Sequence, residues 1–128
     1  MEKIILDKNG IHEYQQNRAP YLMIDFATEI IPGKSAKGYK DLNDDEWFFK
    51  VHWPNDPNMP GFLQLEALTQ MSSLSILTMP NNKSEIMYLV SVNKVTPNFF
   101  RESPTPKHIF EAGVRSRICP KHWDDTVL

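Results

Sequence analysis

Hydrophobic and polar positions alternate differently in successive parts of this chain, and each pattern predicts an element. Tyr21 to Ile31 (YLMIDFATEII) is apolar with scattered polar positions and is closed by Pro32 and Gly33, which predicts a strand ending in a turn. Lys34 to Lys40 alternates loosely and is the candidate hairpin partner. Phe62 to Met79 contains neither Pro nor Gly and is stopped by Pro80, Asn81 and Asn82, so a long helix is expected there. Ile86 to Val95 (IMYLVSVNKV) is rich in β-branched and aromatic residues and reads as a strand. Lys107 to Val114 is a further strand candidate, whereas Cys119 to Leu128 has little strand character. One helix among strands is an α+β plan in which a sheet packs one face against the helix.

Ahead of the helix, the short aromatic run Trp47, Phe48, Phe49 meets a dense proline segment from His52 to Gly61 (HWPNDPNMPG). Pro54, Pro57 and Pro60 each lack an N–H and fix their own φ, so the segment must be an ordered loop. On a helical wheel Leu63, Ala67, Met71 and Leu74 share one side and Leu65, Leu68 and Ile76 another, the mark of a helix mostly enclosed by protein. Between them runs a narrow polar strip of Glu66, Thr69, Gln70 and Ser73. Two readings of the strip stand at this point. It faces water, or its carboxylate has a specific partner, because a carboxylate is costly to bury unpaired. The second gains from His52, able to exchange protons near neutral pH, and from Gly61, where the helix N-terminus offers N–H groups to developing negative charge. A histidine, a carboxylic acid and a backbone N–H site make a proton-transfer constellation.

Composition narrows the classes. The 128 residues carry 14 basic and 16 acidic side chains, and 41% are hydrophobic, which fits one domain with one core, residues 1–128. A formal charge of −2 with mixed signs is no footprint for nucleic acid. The single Cys119 allows no intrachain disulfide and no Cys-rich zinc site, so a cytoplasmic location is expected. No apolar stretch reaches the roughly 18 residues of a membrane helix, and the charged start lacks signal-peptide character. Ten prolines against five glycines is the unusual count, since average usage favours glycine.

The run Val51 to Gln70 (VHWPNDPNMPGFLQLEALTQ) resembles the active-site segment of the FabZ/FabA-type β-hydroxyacyl-acyl carrier protein dehydratases, GHFPGNPxMPGVLxxEALAQ. Upstream, Arg18 to Asp25 (RAPYLMID) is similar to the family's RxPFLLVD, and Tyr88 to Val95 fits its strand after the helix. The resemblance covers about residues 10 to 95. It implies a hotdog fold, one long central helix wrapped by a curved antiparallel sheet, in a homodimer or a trimer of dimers. It also implies that the histidine of one protomer faces a carboxylate from the partner's helix, at positions His52 and Glu66 here. Glu at this position marks the plain dehydratase branch, FabZ, where the isomerase branch carries Asp.

The reaction so implied is loss of water from a β-hydroxyacyl thioester to a trans-2-enoyl thioester in fatty acid or polyketide-type synthesis. His52 would take the α-proton, Glu66 would protonate or orient the departing hydroxyl, and the Gly61 N–H would hold the thioester oxygen. Phe48, Met59, Phe62 and Gln70 are the candidates to line an acyl tunnel. The substrate would arrive on the phosphopantetheine of an acyl carrier protein or coenzyme A, with no metal or redox cofactor. Val51 and Asn55 stand where the family has glycine, and Asn17 where it has histidine. After Val95 the family's PGD-containing continuation has no counterpart, so residues 96–128 are expected to be either a truncated, rebuilt end or the product of a reading-frame change soon after Lys94. Loss of outer strands would leave an uncovered sheet edge. Two rivals remain: a hotdog acyl thioesterase, and a non-catalytic acyl or acyl-carrier binding module. His12, His108 and His122 lack metal-ligand spacing and are expected at the surface. Cys119 is read as structural or exposed, Asp25 and Glu46 as serving turns or surface pairs. The basic residues Arg101, Lys107, Arg115, Arg117 and Lys121 are read as a solvated face, with docking of an acidic carrier as the alternative.

Overall fold

The computed structural model describes residues 2–55, 57–89, 91 and 107–113. The chain opens with β1 (Ile4–Leu6) and a short helix α1 (Lys8–Tyr14), started by Asp7, whose side chain accepts the Gly10 N–H at 2.8 Å. Only Ile11 of α1 is buried, and seven residues with an internal glycine carry too little periodicity to announce a helix. The single-helix expectation is therefore corrected to two helices within the same α+β plan.

Strands β2 (Phe26–Ile31) and β3 (Ser35–Asp41) form the expected hairpin, with Phe26 opposite Tyr39 and Ile31 opposite Ser35. Gly33 makes the turn at φ 75°, and its N–H reaches across to the Ser75 carbonyl at 2.7 Å. The candidate strand near residue 107 is β4 (Lys107–Gly113), antiparallel to β3 from Ser35–Gly113 to Asp41–Lys107. The sheet order is β1-β2-β3-β4, antiparallel throughout.

Two strand expectations are corrected. Only the second half of Tyr21–Ile31 is strand, because Leu22, Met23 and Ile24 are all buried in succession, which a two-faced strand does not do. Their backbone is paired to a helix side chain instead of a ladder, as described below. Residues 86–89 have no strand hydrogen bonding, and Ile86, Met87, Tyr88 and Leu89 are all exposed. An extended segment becomes a strand only beside a pairing partner, and none of the described residues provides one; residues 92–95 lie outside the described residues.

The second helix, α2 (Gly61–Leu77), ends two residues before the expected Met79, where the Thr78 N–H closes on Leu74 and Asn81 turns at φ 68°. Its Ala67, Met71 and Leu74 pack on the sheet with Ile11, Met23, Ile24, Ala27, Ile30 and Ala36. Gly38 makes this approach possible, since a Cβ there would lie 2.1 Å from the Phe26 carbonyl oxygen and 2.4 Å from Met71 Cε. Gln70, Ser73 and Ser75 are buried as well, so the polar strip does not face water along its length. Among the described residues no helix is long and apolar enough to cross a membrane.

Candidate active site

The aromatic run folds into a 3-10 turn, Trp47–Lys50. Phe48 is fully buried and meets Phe49 edge-on at 4.9 Å, so the turn is nailed into the core by its second residue. The Phe48 carbonyl then accepts the N–H of His52 at 2.8 Å, which places the histidine one step beyond a fixed point. The imidazole stacks on Trp53, with centroids 5.1 Å apart and planes 10° apart. Trp53 itself adopts φ 49°, a conformation a bulky residue rarely takes. His52 Nδ1 is buried and has no hydrogen-bond partner among the described residues.

From Trp53 to Pro60 the described loop residues form no helix or strand, as the prolines require. Met59 is buried at its far end, and its carbonyl accepts the Gln64 amide at 2.8 Å. The loop is thus anchored on both sides, by Phe48 and by Met59. Helix α2 starts at once after Pro60, whose carbonyl takes the Leu63 and Gln64 N–H groups. The Gly61 and Phe62 N–H groups are left at the helix mouth, as in any first turn. A Cβ built on Gly61 would meet nothing within 4 Å, so no packing in this chain demands glycine there. Phe62 beside it is 88% exposed.

One turn further along, Glu66 is half-buried and held by Gln70. Gln70 Nε2 donates to Glu66 Oε1 at 3.0 Å and to the Tyr21 carbonyl at 2.9 Å, while Gln70 Oε1 accepts the Met23 N–H at 2.8 Å. Gln70 is 2% exposed, and its amide satisfies backbone groups of residues 21–23 that a strand ladder would have taken. Its own carbonyl accepts from Gln15, which also bonds Ser73. Desolvation, then the nearby Glu66 charge and hydrogen bonding to it, raise the Tyr21 hydroxyl above the ordinary tyrosine range.

The sequence candidates thus fall into two groups. Glu66 and Gln70 are bonded together, and His52 rests on Phe48, but no hydrogen bond or ion pair joins His52 to Glu66 among the described residues of one chain. Of the other lining candidates, Phe48 and Met59 lie in the core and Phe62 outside it. Tyr21 was missed because an aromatic in an apolar run gives no hint of polar duty. Asp25 meets the exposed Lys8 at 3.2 Å and Glu46 begins the 3-10 turn, as expected, but both also face the buried Lys40, at 3.8 and 2.9 Å, since the strand turns Lys40 inward. His12 is half-buried, its carbonyl taking Arg18. Among the described residues no group of three or more His, Cys, Asp or Glu could hold a metal ion. The side chains of Lys107 and His108, and Arg101, Arg115, Arg117, Cys119, Lys121 and His122, lie outside the described residues.

Comparison with known proteins bears on this geometry. The family model of the FabA-like domain matches residues 16–115, beyond the span over which motifs alone show the resemblance. The chain is 39% identical over 105 residues to the 3-hydroxyacyl-[acyl-carrier-protein] dehydratase FabZ of Clostridium novyi (strain NT), covering 80% of this chain and 72% of that protein. It is 42% identical over 106 residues to the dehydratase of the same name from Clostridium botulinum (strain Okra / Type B1), covering 83% and 71%.

Proposed function

The chain belongs to the FabA-like family, whose hotdog fold it has, and from that premise we propose that it is a 3-hydroxyacyl-acyl carrier protein dehydratase of the FabZ kind. The observation that carries the reading is Glu66: a carboxylate on a solvated face needs no fixing, whereas this one is half-buried and held by Gln70. His52 takes the α-proton of the β-hydroxyacyl thioester, and that C–H electron pair becomes the Cα=Cβ bond. The Cβ–O bond breaks, and Glu66 in its acid form gives a proton to the departing hydroxyl, which leaves as water. Charge that gathers on the thioester oxygen meets the Gly61 N–H at the positive end of α2, where a prearranged donor acts strongly. The α-proton of a thioester is weakly acidic, so this polarisation carries much of the rate.

The acyl chain enters beside α2, past Phe62, towards Phe48, Met59 and Gln70. It arrives on the phosphopantetheine of an acyl carrier protein or on coenzyme A, and the elimination as balanced above needs no further cofactor. The chain acts as one domain built on the α2 core, in the cytoplasm. Two copies complete the site: His52 and Glu66 are unconnected within one chain, and the exposed Phe62 and Ile86 to Leu89 supply apolar surface for a homodimer, itself able to associate as a trimer of dimers.

The test is incubation with a short-chain β-hydroxyacyl thioester, following enoyl absorbance and free thiol together. Enoyl product that falls about 10²- to 10⁴-fold in both His52→Ala and Glu66→Gln supports the dehydratase. Thiol release without enoyl product would make it a thioesterase, and tight binding without turnover a binding module.

A further inference from the structure

Burial alternates along β3, and Ala36, Gly38 and Lys40 share the inner face that packs on α2. A lysine on that face is out of place unless its charge is met, because an ammonium removed from water is costly unless paired. Lys40 has a side chain 8% exposed, and its ammonium lies 2.9 Å from Glu46 Oε1 and 3.8 Å from Asp25 Oδ2. Asp25 is already engaged elsewhere, accepting the Asp41 N–H at 2.9 Å and lying 3.2 Å from the Lys8 ammonium. The closer partner of Lys40 is Glu46.

Glu46 is the residue that begins the 3-10 turn, and its carbonyl accepts the Phe49 N–H at 3.1 Å. Two residues later the Phe48 carbonyl holds the His52 N–H. The path from sheet to imidazole is therefore short: Lys40, Glu46, the turn, His52. The ring itself has no hydrogen bond at Nδ1 among the described residues, so its orientation comes from the backbone beneath it and from stacking on the exposed Trp53. A histidine held this way takes its geometry from whatever fixes that backbone.

We propose that Lys40 and Glu46 are positioning residues for His52, their buried ion pair clamping the catalytic turn to the inner face of the sheet. An apolar pair would fill the same volume at similar or better stability, but it would not draw Glu46, and the turn it begins, to one point on the sheet as the ion pair does. The kinetic consequence rests on the dehydratase reading; the geometric one does not.

The test uses the full chain as wild type, Lys40→Met/Glu46→Met, Lys40→Arg and Glu46→Asp. The double variant removes both charges together, so no orphan is left buried. Steady-state kinetics on a short β-hydroxyacyl-coenzyme A are paired with nitrogen-15 NMR of the His52 ring. In the folded double variant kcat should fall about 10- to 100-fold, the scale of a small misplacement of a reacting group, with KM within about threefold and the His52 ring resonances shifted. Lys40→Arg should keep kcat within about threefold, and Glu46→Asp, which retracts the anchor by one methylene, should lower kcat with KM unchanged. A folded double variant with wild-type kcat and an unmoved His52 ring overturns the proposal. Should the double variant not fold, Glu46→Asp with wild-type kcat overturns it equally. Absence of dehydration by the wild type sinks the proposed function instead, and the ring resonances then decide the positioning alone: shifted supports it, unshifted overturns it.

Discussion

Gly61 is the residue where stability and function separate most cleanly. Its Cβ position opens into empty space, and alanine is the better helix former, so Gly61→Ala should unfold at or slightly above the wild-type temperature. Enoyl formation should nonetheless drop about tenfold or more, because the added methyl occupies the approach to an N–H that must touch the thioester oxygen. A thermal melt beside a rate measurement checks both halves. Tyr21 yields a pH prediction with a definite sign. Its folded pKa lies above the ordinary one, through desolvation first and Glu66 second, so the folded state holds this proton more tightly than the unfolded state. Its contribution is complete below the ordinary tyrosine pKa and is lost as pH rises through the raised value. Denaturant midpoints of the wild type should therefore decline at strongly alkaline pH more steeply than those of Tyr21→Phe, by a small margin, since half of the ring is solvated.

Among the elements, the contact between α2 and residues 21–23 shows how one side chain replaces a strand. Gln70→Ala would leave the Met23 N–H and the Tyr21 carbonyl without their partner and free Glu66 on one side. Unsatisfied buried groups cost about 1–3 kcal/mol each, so a loss of roughly 2–6 kcal/mol is expected, read as a lowered urea midpoint at unchanged slope. Activity should fall further than stability explains, because the carboxylate loses its anchor. The same contact accounts for the overlong strand expected from Tyr21: the apolar run is legible, but its three successive buried residues follow a loop whose hydrogen bonds go to a helix 47 residues away. Of the elements read correctly, α2 and the β2–β3 hairpin are bounded by local chemistry, Pro32-Gly33 at the turn and Pro60 and Pro80 around the helix, and β4 is the strand candidate at Lys107. The 3-10 turn and α1 are too short for a period to show.

At the scale of the whole molecule, the proposed dimer brings the two halves of the site together and covers the exposed apolar residues. Sedimentation at micromolar concentration should show two copies or a multiple of two. A double substitution, Phe62→Asp with Tyr88→Asp, should shift the protein to the monomer and reduce dehydration by about 10²-fold, whereas a dimer that persists with full activity would place the interface elsewhere. The sequence by itself determined the α+β plan, the proline-framed loop, the family, and the identities of the proton-transfer candidates His52 and Glu66, because these are set by residue type and spacing along neighbouring positions. Only the tertiary structure decided that the polar strip of α2 is buried at Gln70 and Ser73, that Gln70 holds the carboxylate, and that Lys40 points inward to Glu46. Those outcomes depend on which distant segments meet, and a one-dimensional pattern gives a polar residue's character without saying what will stand opposite it.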